Sequence, residues 1–176
     1  VLFRSDASDY FEEGYVDGSG DLGIDLIIKV AKEVHIIQTK YVSFNKPLKR
    51  ELLDTFQGIL TRLSQRSFDT LKNRRLTELL EDIEWDKDSI FLWFVTNARL
   101  DNQARAATEM PIAIPKEMTE RWGLTYDKVE CEYVDQEKLY EALTDSQSAG
   151  DRSGVAEVEI HAAKQPGKGQ IGRAHV

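Results

Sequence analysis

The residues from Asp17 to Lys40, DGSGDLGIDLIIKVAKEVHIIQTK, contain the pattern that decides the fold. A glycine-rich turn leads into two short apolar runs, Ile24–Val30 and Val34–Ile37, which are joined by Ala-Lys-Glu. Short apolar runs rich in β-branched residues around so brief a connection are typical of a β-hairpin. We therefore predict two adjacent strands, with the glycine turn leading into the first of them.

Three polar side chains gather at the open end of this predicted hairpin. Asp25 lies at the start of the first apolar run, whereas Gln38 and Lys40 follow the second. Because successive side chains of a strand point to opposite faces, Gln38 and Lys40 share a face and Thr39 points away. With Asp25 on that same face, a carboxylate, an amide oxygen and an ammonium group would meet. The two oxygen ligands suit Mg²⁺, and a lysine beside the ion can orient or activate an attacking water.

The order of these residues resembles the core of a known family. Gly-Ser-Gly-Asp-Leu-Gly-Ile-Asp, residues 18–25, is followed after one strand by Ile-Ile-Gln-Thr-Lys-Tyr, residues 36–41. This pattern resembles the PD-(D/E)XK nuclease superfamily, in the variant with glutamine before the lysine. That variant is typical of Mrr-like restriction enzymes and of abortive infection phage resistance (AIPR) proteins. The AIPR proteins fit better, because residues 91–97, Phe-Leu-Trp-Phe-Val-Thr-Asn, also resemble one of their strands.

The resemblance, which covers about residues 15–143, implies a restriction-endonuclease-like fold, a mixed β-sheet flanked by helices. It also implies an endonuclease that uses Mg²⁺, or alternatively Mn²⁺, to cut DNA in phage defence, by abortive infection or restriction. Carried over by position, Asp25 is the metal-binding aspartate, Gln38 stands where many relatives have glutamate, and Lys40 is the catalytic lysine. Asp21, in the glycine turn, is a further candidate metal ligand.

The same residues also allow a hypothesis without catalysis. Glutamine supplies no charge, so Asp25 remains the main carboxylate, and each residue taken singly is typical of an ordinary turn or strand. The alternative is a nuclease-fold module that binds nucleic acid or a partner protein without cutting. Lys40 favours the catalytic hypothesis, because a binding-only remnant has no need of a lysine at this position.

Charge is distributed unevenly along the chain. The formal net charge is −8, which argues against a protein that coats nucleic acid. Between Lys40 and Arg75, however, nine Lys or Arg residues stand against three acids. This basic segment begins at the candidate site, where a phosphate backbone would lie, although a solvated helical surface is an equally simple explanation. The residues that we expect to contact nucleic acid are Lys46, Lys49, Arg50, Arg74 and Arg75.

The rest of the sequence alternates between helical and strand patterns. Two helices are predicted after the hairpin, one from an N-cap at Asn45 to about residue 63 and one over about residues 68–84. Ser89–Thr96 is predicted to be a strand buried on both faces, with Trp93 in the core. The order implies a mixed sheet flanked by helices. The later predicted elements are helices from Asn97 and over Lys116–Trp122, a strand over Val129–Val134 and a short helix over Gln136–Leu143.

The amino-acid composition limits the classes of protein to which this chain can belong. The 41% hydrophobic and 31% charged residues are those of a globular domain with a core, and no apolar run is long enough to span a membrane. A single cysteine, Cys131, excludes an internal disulfide framework and suits a reducing compartment. We therefore expect a cytoplasmic protein whose partner is nucleic acid, with its oligomeric state left open.

We expect four segments along the chain. Residues 1–5 and 170–176 are predicted to derive from a sequencing adapter, because one short DNA string, read on opposite strands, accounts for both ends. Residues 6–143 are expected to form a nuclease-like domain that lacks its N-terminal part. Residues 144–169 are expected to be a linker, flexible over residues 144–154, and the start of a following region with a strand over residues 155–162.

Overall fold

The computed structural model describes residues 7–16, 18–43, 46–68 and 71–150, and the side chains within residues 11–144. Its four strands are β1 (Leu26–Val30), β2 (Glu33–Lys40), β3 (Ser89–Thr96) and β4 (Val129–Val134). They form one mixed sheet in the order β1-β2-β3-β4, in which β1 is antiparallel to β2 and the other pairs are parallel.

Seven α-helices accompany this sheet within the described residues. The predicted α/β class, a mixed sheet flanked by helices, is thereby confirmed. None of the helices in these ranges is long and apolar enough to cross a membrane. The helices are α1 (Ala7–Gly14), α2 (Arg50–Gln57), α3 (Ile59–Ser64), α4 (Arg74–Glu81), α5 (Asn102–Thr108), α6 (Lys116–Trp122) and α7 (Gln136–Gly150).

The predicted hairpin is present, and its closed end is tightly bonded. Val30 pairs with Glu33, so the strands are joined by a turn of two residues. Lys29 in β1 forms an ion pair of 3.1 Å with Asp88, which is only 1% exposed. Asp88 also accepts a hydrogen bond of 2.8 Å from the backbone N–H of Glu84. The closed end of the hairpin is therefore fixed to the chain that leads into β3.

One face of the sheet carries the core. The Phe56 ring of α2 lies 5.3 Å from the Phe94 ring of β3 and 5.8 Å from the Tyr133 ring of β4. On the same face of β2, Val34 and Ile36 are fully buried. Burial of this apolar surface against α2 and its neighbours is the main driving force that holds the helices on the sheet.

The prediction that β3 is buried on both faces is wrong. Its residues alternate between buried and half-exposed positions, and Phe91, Trp93 and Val95 are the half-exposed ones. Trp93 therefore lies outside the core, where its indole N–H donates to His35 Nδ1 at 3.1 Å. A strand's own apolar pattern cannot reveal whether a second helical layer covers it, which is why the sequence misled here.

The first predicted helix begins later and is divided in two. The residues before α2 run beside the chain that follows β3, since the N–H of Leu48 donates to the carbonyl of Arg99 at 2.8 Å. This pairing keeps the backbone extended until Lys49, so helix begins only at Arg50. Gly58 separates α2 from α3, consistent with the cost of glycine in a helix interior. The predicted N-cap, Asn45, lies outside the described residues.

Two helices after the hairpin begin at side-chain caps that the prediction did not place. Asn73 accepts a hydrogen bond of 3.0 Å from the N–H of Leu76, so α4 begins at Arg74 rather than near residue 68. Asp101 accepts one of 2.7 Å from the N–H of Ala104 at the start of α5. Such caps satisfy backbone donors that a helix leaves free at its first turn.

The last helix is longer than predicted. α7 continues to Gly150, so residues 144–150 are helical and not part of a flexible link. The polar residues there weaken a helix only slightly, and Gly150 is the first strong helix breaker after Gln136. The chain divides into two compact units after Ala142, and the first unit contains all four strands. The expected segments 1–5, 155–162 and 170–176 lie outside the described residues.

Candidate active site

Asp25 is held at the open end of the hairpin by the strand beside it. Its N–H donates to the carbonyl of Ile37 at 3.0 Å. Its Oδ2 accepts from the backbone N–H of Thr39 at 2.5 Å and from Thr39 Oγ1 at 2.7 Å. The half-buried carboxylate is therefore fixed against the residue that separates Gln38 from Lys40.

The glycine turn before Asp25 is organised by Asp21. Asp21 Oδ1 accepts from the N–H of Gly23 at 2.7 Å, and its Oδ2 accepts from the N–H of Gly18 at 3.1 Å. Both carboxylate oxygens thus bind the turn itself, which accounts for Asp21 without a metal. Gly23 has a φ of +78°, in the region that favours glycine, and a Cβ there would lie 3.2 Å from Gln38 Nε2.

Arg62 of α3 holds the same turn from the other side. Its Nε and NH2 groups donate to the carbonyl of Leu22 at 3.1 and 2.9 Å. Leu22 has a φ of +59°, which is costly for a residue other than glycine. Arg62 also donates to the carbonyl of Thr55, and burial lowers the pKa of its guanidinium group. The conformation of the turn therefore depends on this half-buried cation.

Sequence reasoning did not identify the role of Arg62, although a signal was present. Its helical neighbours Ile59, Leu60 and Leu63 are all fully buried. A cation placed among apolar residues on one short helix is a candidate for burial, and a buried cation needs acceptors. In the predicted basic segment, Arg62 is only one of the nine Lys or Arg residues and has no separate role.

Gln38 is buried and its carbonyl oxygen lacks a partner. The residue is only 9% exposed, and Oε1 accepts no hydrogen bond from the described residues. A buried acceptor left unsatisfied costs about 1–3 kcal/mol, so such atoms in folded proteins call for an explanation. Amide oxygens are ligands that Mg²⁺ and Ca²⁺ accept, so a bound cation is one explanation.

Lys40 ends β2 on the face that Gln38 shares, as alternation along a strand requires. Its side chain is exposed, and it forms no ion pair with any described residue. Its backbone carbonyl accepts from Thr96 Oγ1 at 2.7 Å, which fixes the end of β2 against β3. An exposed ammonium group at a fixed strand end is available to a phosphate or to a water molecule.

The three predicted site residues are brought to one end of the hairpin but are not bonded to one another. The Asp25 carboxylate bonds to the backbone and the side chain of Thr39, the residue whose side chain alternates away from Gln38 and Lys40. No hydrogen bond or ion pair in the described ranges joins Asp25 to either of those two residues. The described residues also contain no group of three or more His, Cys, Asp and Glu suited to a metal. A cation here would have Asp25 as its main carboxylate ligand from this part of the chain.

Of the five basic residues expected to contact nucleic acid, the three arginines have partners within this chain and the two lysines are exposed. Arg50 pairs with Asp54 at 3.4 Å within α2, and Arg74 pairs with Glu78 at 2.9 Å within α4. Exposed pairs of this kind contribute little to stability, so a phosphate can compete for either arginine. Arg75 donates to the backbone carbonyl of Glu13 and lies near Glu78, whereas Lys46 and Lys49 are exposed before α2.

A cleft of about 430 Å³, here called the strand-end cleft, opens beyond the ends of β2 and β3. Crevices beyond the carboxyl ends of neighbouring parallel strands are the usual binding sites of α/β sheets. The sequence-based expectation included only Lys46 from this cleft. The polar residues that line it are Ser43, Lys46, Asn97, Arg99 and Gln136.

Comparison with known proteins assigns neither a family nor a function to this chain. The chain matches no protein-family model, no curated protein and no solved structure. The likeness to PD-(D/E)XK nucleases remains a resemblance of residues 18–25 and 36–41. What the site can do is inferred below from its own residues.

Proposed function

We propose that this chain is a metal-dependent endonuclease that hydrolyses phosphodiester bonds, with DNA as its substrate and phage defence as its role. The observation that carries the proposal is the anchoring of the Asp25 carboxylate on Thr39, between Gln38 and Lys40. Gln38 and Lys40, the neighbours of Thr39 in β2, provide a buried amide oxygen and an exposed ammonium group at the same strand end. The choice of DNA and the defence role come only from the resemblance to AIPR and Mrr-like proteins.

The residues present fit a hard divalent cation. Gln38 Oε1 is a buried oxygen without a partner, and the second carboxylate oxygen of Asp25 accepts no hydrogen bond from the described residues. Asp25 and Gln38 would therefore hold Mg²⁺ or Mn²⁺, with water completing the coordination. When bound, such an ion polarises a phosphoryl oxygen and lowers the pKa of a coordinated water.

The chain's own residues supply the other requirements of hydrolysis. Lys40 presents a cation at the strand end, where it can orient the attacking water or stabilise charge on the phosphate. Thr39 keeps the Asp25 carboxylate in place through two hydrogen bonds, which limits its rotation. Arg62 fixes the turn that leads to Asp25 by binding the Leu22 carbonyl. Positioning of this kind is a large part of the catalysis of phosphoryl transfer.

A second candidate function is a nuclease-fold module that binds nucleic acid or a partner without cutting. The observation that favours it is the neutral Gln38 together with the lack of an acidic cluster among the described residues. In this case the unsatisfied Gln38 oxygen would be a remnant of a metal site. The two candidates make opposite predictions about cleavage.

The test is a cleavage assay with the purified chain on a supercoiled plasmid and on a single-stranded oligonucleotide, with Mg²⁺ or Mn²⁺. We expect cleavage by the unmodified chain and a loss of about 100-fold or more in Asp25→Ala and Lys40→Ala. Lys32→Ala, an exposed residue in the turn at the opposite end of β2, is the matched control and should cut normally. An unmodified chain that shifts DNA in a gel but never cuts it would favour the second candidate.

A further inference from the structure

The strand-end cleft has the charge of an anion-binding site. Among the described residues that line it, Lys46 and Arg99 are cations and none is an acid. Ser43 adds a hydroxyl group that can donate a hydrogen bond. The nearest carboxylate to Arg99 is Glu137, whose Oε1 lies 3.9 Å from the Arg99 Nε atom. Glu137 also lies 3.9 Å from Arg105, so one exposed carboxylate is shared between two guanidinium groups and leaves positive charge in excess.

The walls of the cleft are fixed by hydrogen bonds. On one side the Asn97 amide binds both backbone groups of Val42, accepting from its N–H at 2.8 Å and donating to its carbonyl at 2.9 Å. On the other side the N–H of Leu48 donates to the Arg99 carbonyl, and the N–H of Asp101 donates to the Leu48 carbonyl. These contacts hold the backbones that carry Ser43 and Arg99. A ligand would therefore meet a preformed site, which lowers the entropic cost of binding.

An exposed aromatic residue, Tyr41, lies between the candidate active site and the cleft along the chain. Tyr41 is 81% exposed and follows Lys40 directly, whereas Val42 and Ser43 already line the cleft. The ring makes no contribution to the core. An exposed aromatic ring beside cations is the arrangement with which proteins bind single-stranded nucleic acid, because every base has a face that can stack on it.

The candidate active site and the cleft are neighbours along the chain. Lys40 and Val42 are two residues apart, so about 7 Å of backbone separates the candidate active site from the cleft. A strand whose phosphate lies at Lys40 can therefore place a neighbouring phosphate in the cleft.

We propose that the strand-end cleft binds a backbone phosphate of single-stranded nucleic acid through Lys46 and Arg99, while an unpaired base stacks on Tyr41. This inference rests on the proposed function only in naming the bound strand as the one that is cut; the binding itself requires no metal. Duplex DNA cannot offer a base to Tyr41 without unstacking it, so the site should prefer an unpaired strand or strand end.

The test measures binding without cleavage. Fluorescence anisotropy in the presence of a chelator would compare a labelled oligothymidylate of about 12 nucleotides with a blunt duplex of similar length. The variants are Arg99→Gln, Lys46→Gln, Tyr41→Leu and Tyr41→Phe, with Lys32→Gln as the control cation at the far end of β2. Because all four side chains are exposed, we expect every variant to fold, and thermal unfolding of each variant checks this.

We expect tighter binding of the single strand than of the duplex and about 5- to 150-fold weaker binding in Tyr41→Leu. Tyr41→Phe and Lys32→Gln should bind normally. Arg99→Gln and Lys46→Gln should each weaken binding, and together they should reduce the slope of log affinity against log salt by about 0.7, the value for one phosphate contact with a single strand. Equal binding of single strand and duplex, or unchanged affinity in Tyr41→Leu and Arg99→Gln, would overturn the inference.

The result can be separated from that of the cleavage assay. Asp25→Ala and Lys40→Ala address hydrolysis, whereas the cleft variants are measured without metal and address binding alone. Cleavage that persists while the cleft variants bind normally would sink this inference and leave the nuclease proposal standing. Selective loss of single-strand binding in the cleft variants, in a chain that never cuts, would support the cleft and contradict the nuclease.

Discussion

The two ends of the β1–β2 hairpin differ in how completely their polar groups are satisfied. At the closed end, the buried carboxylate of Asp88 binds Lys29 and the N–H of Glu84. At the open end, the buried Gln38 oxygen has no partner among the described residues, and Lys40 has no counter-ion there. At the closed end of the hairpin the buried carboxylate is thus paired, whereas at the open end a buried oxygen and an ammonium group remain available to a ligand.

Both ends contain a strained residue, so strain alone does not distinguish them. Ala31 has a φ of +54° in the closed turn, and Leu22 has a φ of +59° in the glycine turn. Only at Leu22 does a half-buried cation, Arg62, bind the carbonyl of the strained residue. Strain that is supported by a buried contact and adjoins an unsatisfied atom is typical of functional sites.

The largest expected effect comes from removing the buried carboxylate at the closed end of the hairpin. Asp88→Ala leaves the Glu84 N–H without its acceptor and Lys29 with only Asp82 as a partner, so we predict a loss of about 3 kcal/mol in the free energy of unfolding. Chemical denaturation measures this loss. Cleavage per folded molecule should be unchanged, because the open end is untouched. A change in stability within about 0.5 kcal/mol would show that Asp88 is not the anchor of this end.

The second effect breaks the support of the open end. Arg62→Met removes a charged donor from the Leu22 carbonyl, so we predict a loss of about 2 kcal/mol in stability. We also expect cleavage to fall by at least about ten-fold, because the turn that leads to Asp25 is released. Arg66→Met, an exposed arginine just after α3, is the matched control. Equal cleavage by the two variants would remove Arg62 from the positioning of the site.

The third effect concerns the unsatisfied oxygen of Gln38 at the open end of the hairpin. Gln38→Leu replaces the unsatisfied buried oxygen with an apolar group of similar size, so stability should rise by about 1 kcal/mol. Cleavage should be lost, because a metal ligand is removed. Stability is measured by denaturation and cleavage on plasmid DNA. A variant that is less stable yet still cuts would mean that Gln38 is an ordinary core residue.

The smallest effect concerns His35, midway along β2. Burial lowers the pKa of His35, although Glu33 opposes the shift, and its Nδ1 accepts from Trp93. Because the unfolded chain takes up this proton first, stability should decrease as the pH falls below about 6.5, by about 1 kcal/mol or less. Denaturation at several pH values would show a shallower decline in His35→Gln. Identical profiles for the two chains would contradict this assignment.

Local patterns in the sequence were sufficient for the strands and for the face that Gln38 and Lys40 share. The apolar runs gave the hairpin, and β3 has the predicted bounds Ser89–Thr96. Alternation along β2 gave the shared face of Gln38 and Lys40. These features depend only on residues close in sequence, where strand geometry dictates the direction of each side chain.

The features that the sequence did not reveal depend on distant contacts. Thr39 as the anchor of Asp25, and Arg62 as the support of Leu22, are contacts between residues 14 and 40 positions apart. The late start of α2 likewise follows from the pairing of Leu48 with the chain after β3. The periodicity of a short stretch of sequence does not indicate which distant residues will contact it, so these contacts are seen only in the folded chain.

The most direct test of the open end as a metal site is calorimetric titration of the chain with Mn²⁺. We predict that the unmodified chain and Lys32→Ala bind the ion and that Asp25→Ala and Gln38→Leu do not. Binding that is absent from the unmodified chain, or equally strong in all four proteins, would contradict the assignment of Asp25 and Gln38 as ligands.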